Sequence, residues 1–166
     1  GLDVLLKAFG IVLHQRGRKV DLQICGKGDT DFLTRLACEL GVRDCVSFNG
    51  FIDDVRPYLL SSYLFVIPSR EEGMSNALLE AMSLGMPCVA TDISGNQDLI
   101  QHGINGLLVP KDNPETLADV IIYMLDNPDK ALVMGKMARK TIEKSYTISM
   151  VSDKYIELYK ELKCAA

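Results

Sequence analysis

The sequence predicts an α/β domain, a parallel sheet covered by helices on both faces. Three observations predict it. Short apolar stretches alternate with amphipathic ones from end to end. The apolar stretches are rich in Val and Ile without clean polar alternation, the pattern of strands buried on both faces of a parallel sheet. Gly, Asn and Pro punctuate the junctions, and no internal repeat, low-complexity run or long linker interrupts the series.

The elements follow in order. Leu2, Leu5, Leu6, Phe9, Val12 and Leu13 recur at helical spacing, so residues 2–15 are expected to form an amphipathic helix stopped by Gly17. Residues 20–25 read as a strand and Gly26-Lys27-Gly28-Asp29 as a turn. A helix over 30–40 is closed by Gly41, and a strand over 45–48 is ended by Asn49-Gly50. Residues 53–61 read as a short helix and 64–67 as a strand terminated by Pro68. Helix 75–84, strand 87–91, helix 96–101 and strand 106–109 come next. Asn113-Pro114 has the form of an N-cap with Pro at the first helical position, opening a helix to Leu125, and Asn127-Pro128 repeats the device. A last helix carries Val151, Tyr155, Leu158 and Leu162 on one stripe.

At 166 residues the chain is sized for one domain. Hydrophobic residues at 48% and charged residues at 24% are an ordinary globular balance. A net charge of −4 argues against a nucleic-acid-binding surface, which is normally basic. No apolar run reaches the roughly 18 residues of a spanning helix. The expected location is cytoplasmic, or peripheral to the inner face of the membrane in the full-length protein. The five cysteines (Cys25, Cys38, Cys45, Cys88 and Cys164) are odd in number and lack metal-ligand spacing, so most are expected to be small buried hydrophobes in a reducing compartment. His14 and His102 stand far apart, with no flanking ligands that would make a metal site.

In parallel sheets, ligands bind in the crevice at the carboxyl ends of the strands. The loop after strand 64–67 is the richest in chemistry. It reads Pro68-Ser69-Arg70-Glu71-Glu72-Gly73-Met74-Ser75-Asn76 and runs into a helix. Gly73 has no Cβ and lets a ligand approach the backbone. Ser75 or Asn76 can cap the helix, whose first-turn N–H groups then suit phosphate. Glu80 lies on the same face as Asn76 and Ala77, placed to accept two hydrogen bonds from a vicinal diol such as a ribose. By spacing alone, two glutamates eight residues apart are ordinary charges near a helix start. Lys27 reads better as a solvated loop charge than as a phosphate ligand. Arg70 reads better as an exposed loop residue. Met74, Met82 and Met86 are expected to fill the core.

The whole string resembles the signature of the family 4 retaining glycosyltransferases, the largest group with the GT-B fold. The pattern stands here as Pro68-Ser69, Glu72-Gly73, Glu80-Ala81-Met82 and Gly85-Met86-Pro87, with seven residues between the two glutamates. The resemblance extends over nearly the whole chain. It includes the opening Gly1–Phe9 segment, Ile24-Cys25-Gly26-Lys27-Gly28 and Phe48-Asn49-Gly50-Phe51. It continues through Ser94-Gly95-Asn96-Gln97-Asp98-Leu99-Ile100 and Gly103–Val109. Two departures are Gly73-Met74-Ser75, where the family commonly has Gly-Phe-Gly, and Asp98, where it usually has Glu.

The resemblance implies a Rossmann-like parallel sheet sandwiched between helices, the C-terminal half of a GT-B fold. It also implies roles. Glu72 would contact the donor sugar as the catalytic residue, and Glu80 would bind the ribose. Gly73, Met74, Ser75 and Asn76 would hold the sugar and diphosphate through the backbone, with Leu79 nearby. Phe51 and Ile52 would frame the base, and Gly26 would let the chain pass close to the nucleotide. The substrate implied is a nucleotide-sugar, most like the UDP-hexoses and UDP-N-acetylhexosamines of bacterial surface polysaccharide synthesis. No cofactor or metal is expected.

Residues 1–166 are therefore expected to be one nucleotide-sugar-binding domain. Because Gly1 runs straight into a helical pattern, a first strand and an N-terminal acceptor domain are expected to be missing. The resemblance places the catalytic His and a diphosphate-neutralising Arg and Lys in that missing part, so this chain alone is expected to be inactive. Any membrane contact would come through the same part. The competing expectations are another GT-B sugar-nucleotide enzyme, such as a 2-epimerase, and a non-catalytic nucleotide-binding module.

Overall fold

A computed structural model describes residues 1–16 and 20–164, the side chains of Glu161 and Cys164 apart. The helices are α1 (Leu2–Arg16), α2 (Asp31–Glu39), α3 (Arg56–Ser61), α4 (Asn76–Ser83), α5 (Ser94–Gln97), α6 (Pro114–Asp126), α7 (Pro128–Ser145) and α8 (Ile148–Cys164). The strands are β1 (Leu22–Cys25), β2 (Val46–Gly50), β3 (Phe65–Ile67), β4 (Cys88–Thr91) and β5 (Leu107–Val109). All strand pairing is parallel. The α/β class is as expected, but the strands form two hydrogen-bonded sheets, β1-β2 and β3-β4-β5. Gly17, the expected stop of the first helix, lies outside the described residues.

Helix α1 joins the two sheets into one body. Its Val4, Leu5, Ala8 and Val12 pack with Val89, Leu107 and Val109 of the larger sheet and with α6. Its Leu6, Phe9 and Leu13 pack with Ala37, Val42 and Val46 beside the smaller one. Strand β4 is the central strand and is buried along its whole length. Val89 faces α1 and α6, while Cys88 and Ala90 face α4 and α7. Burying a side chain such as Leu78 or Met82 of α4 contributes roughly 1.5–3 kcal/mol each, so α4 is firmly seated.

Several expectations are corrected. Only β4 is buried throughout. β1 alternates, with Gln23 and Cys25 exposed, because it carries a polar residue at one of its four positions and one of its faces stays open. Most described cysteines are not buried: Cys25 and Cys38 are exposed and Cys45 is half-buried, lying on solvent-facing positions of β1, α2 and the following turn. Cys88 alone of the four is buried, and burial pushes its thiol pKa up. The short helix expected over 96–101 begins and ends earlier, at Ser94–Gln97. Asn113 caps α6 by accepting from the Thr116 N–H at 2.8 Å, as expected. Asn127 stands at the N-cap of α7 with Pro128 in its first turn, as expected, but its side chain makes no cap hydrogen bond; its amide donates 2.9 Å to the Tyr123 carbonyl and so closes the end of α6. The stripe on α8 exists but is not buried: Val151, Tyr155, Leu158 and Leu162 are all exposed. No helix among the described residues is long and apolar enough to cross a membrane.

Candidate functional site

Two clusters form where strands end. The first is the loop between β3 and α4. Pro68 and Ser75 are buried and bracket it, while Glu72 is half-buried between them. Ser75, one of the two cap candidates, is the N-cap, its Oγ accepting from the Leu78 N–H at 3.3 Å. The Ser75 carbonyl takes the Leu79 N–H. The N–H groups of Asn76 and Ala77 form no hydrogen bond among the described residues. They are orphan donors at the positive end of an eight-residue helix.

Glu72 is held rather than loose. Ser69 Oγ donates to its Oε1 at 2.8 Å, leaving the other carboxylate oxygen available to an outside donor. Glu80 sits on the exposed side of α4, one turn from the orphan amides, and its carboxylate has no partner among the described residues. Asn76 and Gly73 are exposed and Leu79 is half-buried. A Cβ built on Gly73 would meet nothing within 4 Å, so the space beside this backbone is open.

A second layer stands behind this loop. Gly95, at the start of α5, comes so close that a Cβ there would lie 2.4 Å from the Glu72 carbonyl oxygen and 2.6 Å from that of Gly73. Thr91 Oγ1 donates to the Ser69 carbonyl in a short hydrogen bond. Asn96, fully buried, donates 2.9 Å to the Thr91 carbonyl. Sequence reasoning marks the loop after Thr91 as a place to seek function and includes Gly95 and Asn96 in the resemblance, but gives none of the three a contact with this loop. The available signal was a strand ending in Thr and followed within a few residues by Ser-Gly-Asn, small and polar residues that suit close packing against another loop.

Arg70 pairs with two carboxylates other than Glu72. Its guanidinium donates to Asp3 at 2.8 Å and to Asp112 at 2.7 Å, tying the first turn of α1 and the loop after β5 to this loop. That hydrogen bond holds the Asp3 carboxyl down to about 2 and raises Arg70 further above its ordinary range. Arg70 is exposed, as expected, but it is paired and not free. Met82 and Met86 fill the core as expected. Met74 does not; it is 48% exposed, because the loop turns it outward before α4 begins.

The second cluster lies at the ends of β1 and β2. The Gly26 N–H donates 2.7 Å to the Gly50 carbonyl, and Asn49 Nδ2 donates to Gln23 and weakly to Cys25 Sγ. Gly26 has φ 151°, a backbone state that favours glycine. Phe51 is 59% exposed, and Lys27 Nζ lies 4.3 Å above its ring centroid. Lys27 is thus solvated, as expected, and also rests on the aromatic face. Ile52 is half-buried beside Phe51. A hollow lined by Gln15, Arg16, Val20, Tyr63, Leu125 and Pro128 contains none of the residues of the two clusters. Among the described residues no three His, Cys, Asp or Glu side chains gather as a metal-ligand set.

The profile of the glycosyl transferases group 1 family matches residues 1–127, which takes in both clusters. The chain belongs to that family. Family relatives resemble it over most of its length. An uncharacterised glycosyltransferase of Methanocaldococcus jannaschii is 31% identical, over 96% of this chain and 41% of its own. The UDP-Gal:alpha-D-GlcNAc-diphosphoundecaprenol alpha-1,3-galactosyltransferase of Escherichia coli is 30% identical, over 82% of this chain and 35% of its own. The chain thus spans well under half the length of these relatives. Among solved structures, Anabaena HepE in complex with UDP superposes with a TM-score of 0.90 at 22% identity, over 97% of this chain and 45% of that one. At that identity the likeness establishes the fold: Rossmann-like and helix-covered, one half of a GT-B architecture.

Proposed function

We propose that the chain is the donor-binding domain of a retaining glycosyltransferase. The longer protein would move a hexose or N-acetylhexosamine from UDP to a glycan or lipid-linked acceptor in bacterial surface polysaccharide synthesis. One observation carries the reading. The first turn of α4 presents two N–H groups, unpaired among the described residues, at a strand's carboxyl end, with Glu80 one turn along and Glu72 in the loop before it.

In this reading the Asn76 and Ala77 amides take the diphosphate. Glu80 accepts from the ribose hydroxyls, and the oxygen of Glu72 that Ser69 leaves free accepts from the sugar. Gly73 and Met74 line the passage, with Leu79 beneath. Gly26, Phe51 and Ile52 receive the base, and Lys27 must leave the Phe51 face or turn toward a phosphate. Charge developing on the leaving diphosphate is stabilised by helix N–H groups and by cations of the protein's other domain, without a metal. That domain supplies the acceptor site, and the work is done on the cytoplasmic side. The name of the Escherichia coli relative and the UDP bound to HepE favour uridine as the nucleoside.

The test is calorimetric titration of the chain with UDP, GDP and ADP, repeated on Glu80→Ala. UDP should bind best, and Glu80→Ala should weaken it by about tenfold or more, the worth of hydrogen bonds to a charged group. Equal affinity of the two proteins for UDP removes Glu80 from the ribose role.

A further inference from the structure

We infer that Thr91 and Asn96, with Gly95 between them, are positioning residues that set the orientation of the Glu72 carboxylate through Ser69. The inference rests on the reading of Glu72 as a donor-contacting residue and deepens it. None of the three needs to touch the donor.

Hydrogen-bond direction fixes the order of these contacts. A carbonyl only accepts, so the Asn96 group 2.9 Å from the Thr91 carbonyl is its NH2. The same nitrogen lies 3.3 Å from Thr91 Oγ1. Thr91 Oγ1 must spend its own proton on the Ser69 carbonyl, another pure acceptor, so it can only accept from Asn96. Ser69 Oγ in turn donates to Glu72. The polarity of the series is therefore fixed: Asn96 to Thr91, Thr91 to the Ser69 backbone, Ser69 side chain to the Glu72 carboxylate.

Two further observations show that this corner is under constraint. Asn96 is fully buried and its Oδ1 has no partner among the described residues. Its orientation is set by the donor end of the amide, which the Thr91 carbonyl and hydroxyl take up. Gly95 meanwhile presses on the Glu72 and Gly73 carbonyls so closely that no side chain fits. The corner thus grips the loop from behind at three points: the Ser69 carbonyl, the Glu72 carbonyl and the Gly73 carbonyl. With both its backbone and one carboxylate oxygen fixed, Glu72 has few ways to turn. A preorganised carboxylate loses little order on meeting a ligand.

The test uses the nucleotide-free chain and nuclear magnetic resonance, with the Glu72 carboxyl carbon assigned from Glu72→Gln. Thr91→Val keeps the shape and removes the hydroxyl; Thr91→Ser keeps the hydroxyl. In wild type the amides of residues 70–73 should show order parameters of about 0.85. In Thr91→Val they should fall below about 0.6. The Glu72 carboxyl resonance should move in the same direction as in Ser69→Ala. Thr91→Ser should restore both, and the amides of α6 and α7 should be unchanged in every variant. A Glu72 resonance in Thr91→Val identical to wild type overturns the inference, as does failure of Thr91→Ser to restore it. If Thr91→Val does not fold, Gly95→Ala asks the same question: a shifted Glu72 resonance supports the inference and an unshifted one overturns it. Because no nucleotide is present, this result is separable from the UDP titrations that test the reading of the site.

Discussion

The loop after β3 and the loops after β1 and β2 are both clusters at strand ends, yet they are built in opposite ways. The first rests on buried Ser75, Thr91 and Asn96, on Gly95 pressed against its carbonyls, and on an α4 whose Leu78, Ala81 and Met82 are fully buried. The second is held by one backbone hydrogen bond, the Asn49 side chain and a lysine resting on an exposed phenylalanine. In the proposed reading this is a division of labour. Diphosphate and sugar need fixed dipoles at fixed places, and those lose their value if they can wander. A base needs an aromatic or apolar face, which tolerates adjustment.

The largest expected effect lies in the seating of the first cluster. Met82→Ala should destabilise the chain by roughly 2–5 kcal/mol in urea denaturation, whereas Met74→Ala should change it by no more than about 0.5 kcal/mol. Similar values for the two would erase the contrast between anchored and open methionines. Next comes the back of the loop. Gly95→Ala should cost about 1–3 kcal/mol through overpacking, while Gly73→Ala, with open space around it, should stay within about 0.5 kcal/mol. Ser75→Ala should cost about 1 kcal/mol by removing the cap of α4. At the second cluster, Phe51→Ala should leave the melting curve nearly unchanged and weaken UDP by about tenfold through lost stacking.

The smallest effect is electrostatic. Asp3 is held down from 3.8 to about 2 by Arg70, so its contribution to stability is fully present above about pH 4 and is lost as pH falls through about 2. Asp3→Asn should therefore lower stability at pH 7 and converge with wild type near pH 2. The difference should be modest, because the pair is solvent-accessible and screened. Curves that stay parallel down to pH 2 would remove the pairing as its source.

Much of this was legible in the sequence because it is local. The helical spacing from Leu2 to Leu13, the Asn113-Pro114 cap and the Ser75 cap candidate each depend on residues within one or two turns. The Glu72 to Glu80 stretch was legible through its resemblance to a family whose profile the chain matches. What was not legible depends on distant partners. Nothing near Arg70 announces that Asp3 and Asp112 will bind it, 67 and 42 residues away. Gly95 is one small residue within the resemblance until the fold brings it behind Glu72. Asn127 holds its expected position, but its side-chain partner was not legible, because Asn-Pro favours both the end of one helix and the start of the next, and the Tyr123 carbonyl took its amide. The burial of cysteines failed for a similar reason: which face of β1 or α2 is covered depends on neighbours the local sequence does not name.

The central claim is that the start of α4 binds a nucleoside diphosphate, with the base at the second cluster. Amide chemical-shift mapping of the chain during UDP addition tests it most directly. The largest shifts are expected at residues 73–80, with a second set at 26–27 and 51–52, and loss of the first set in Glu80→Ala at the same UDP concentration. Shifts confined to the hollow around Gln15, Tyr63 and Leu125, or none at all with UDP, GDP or ADP, would contradict it.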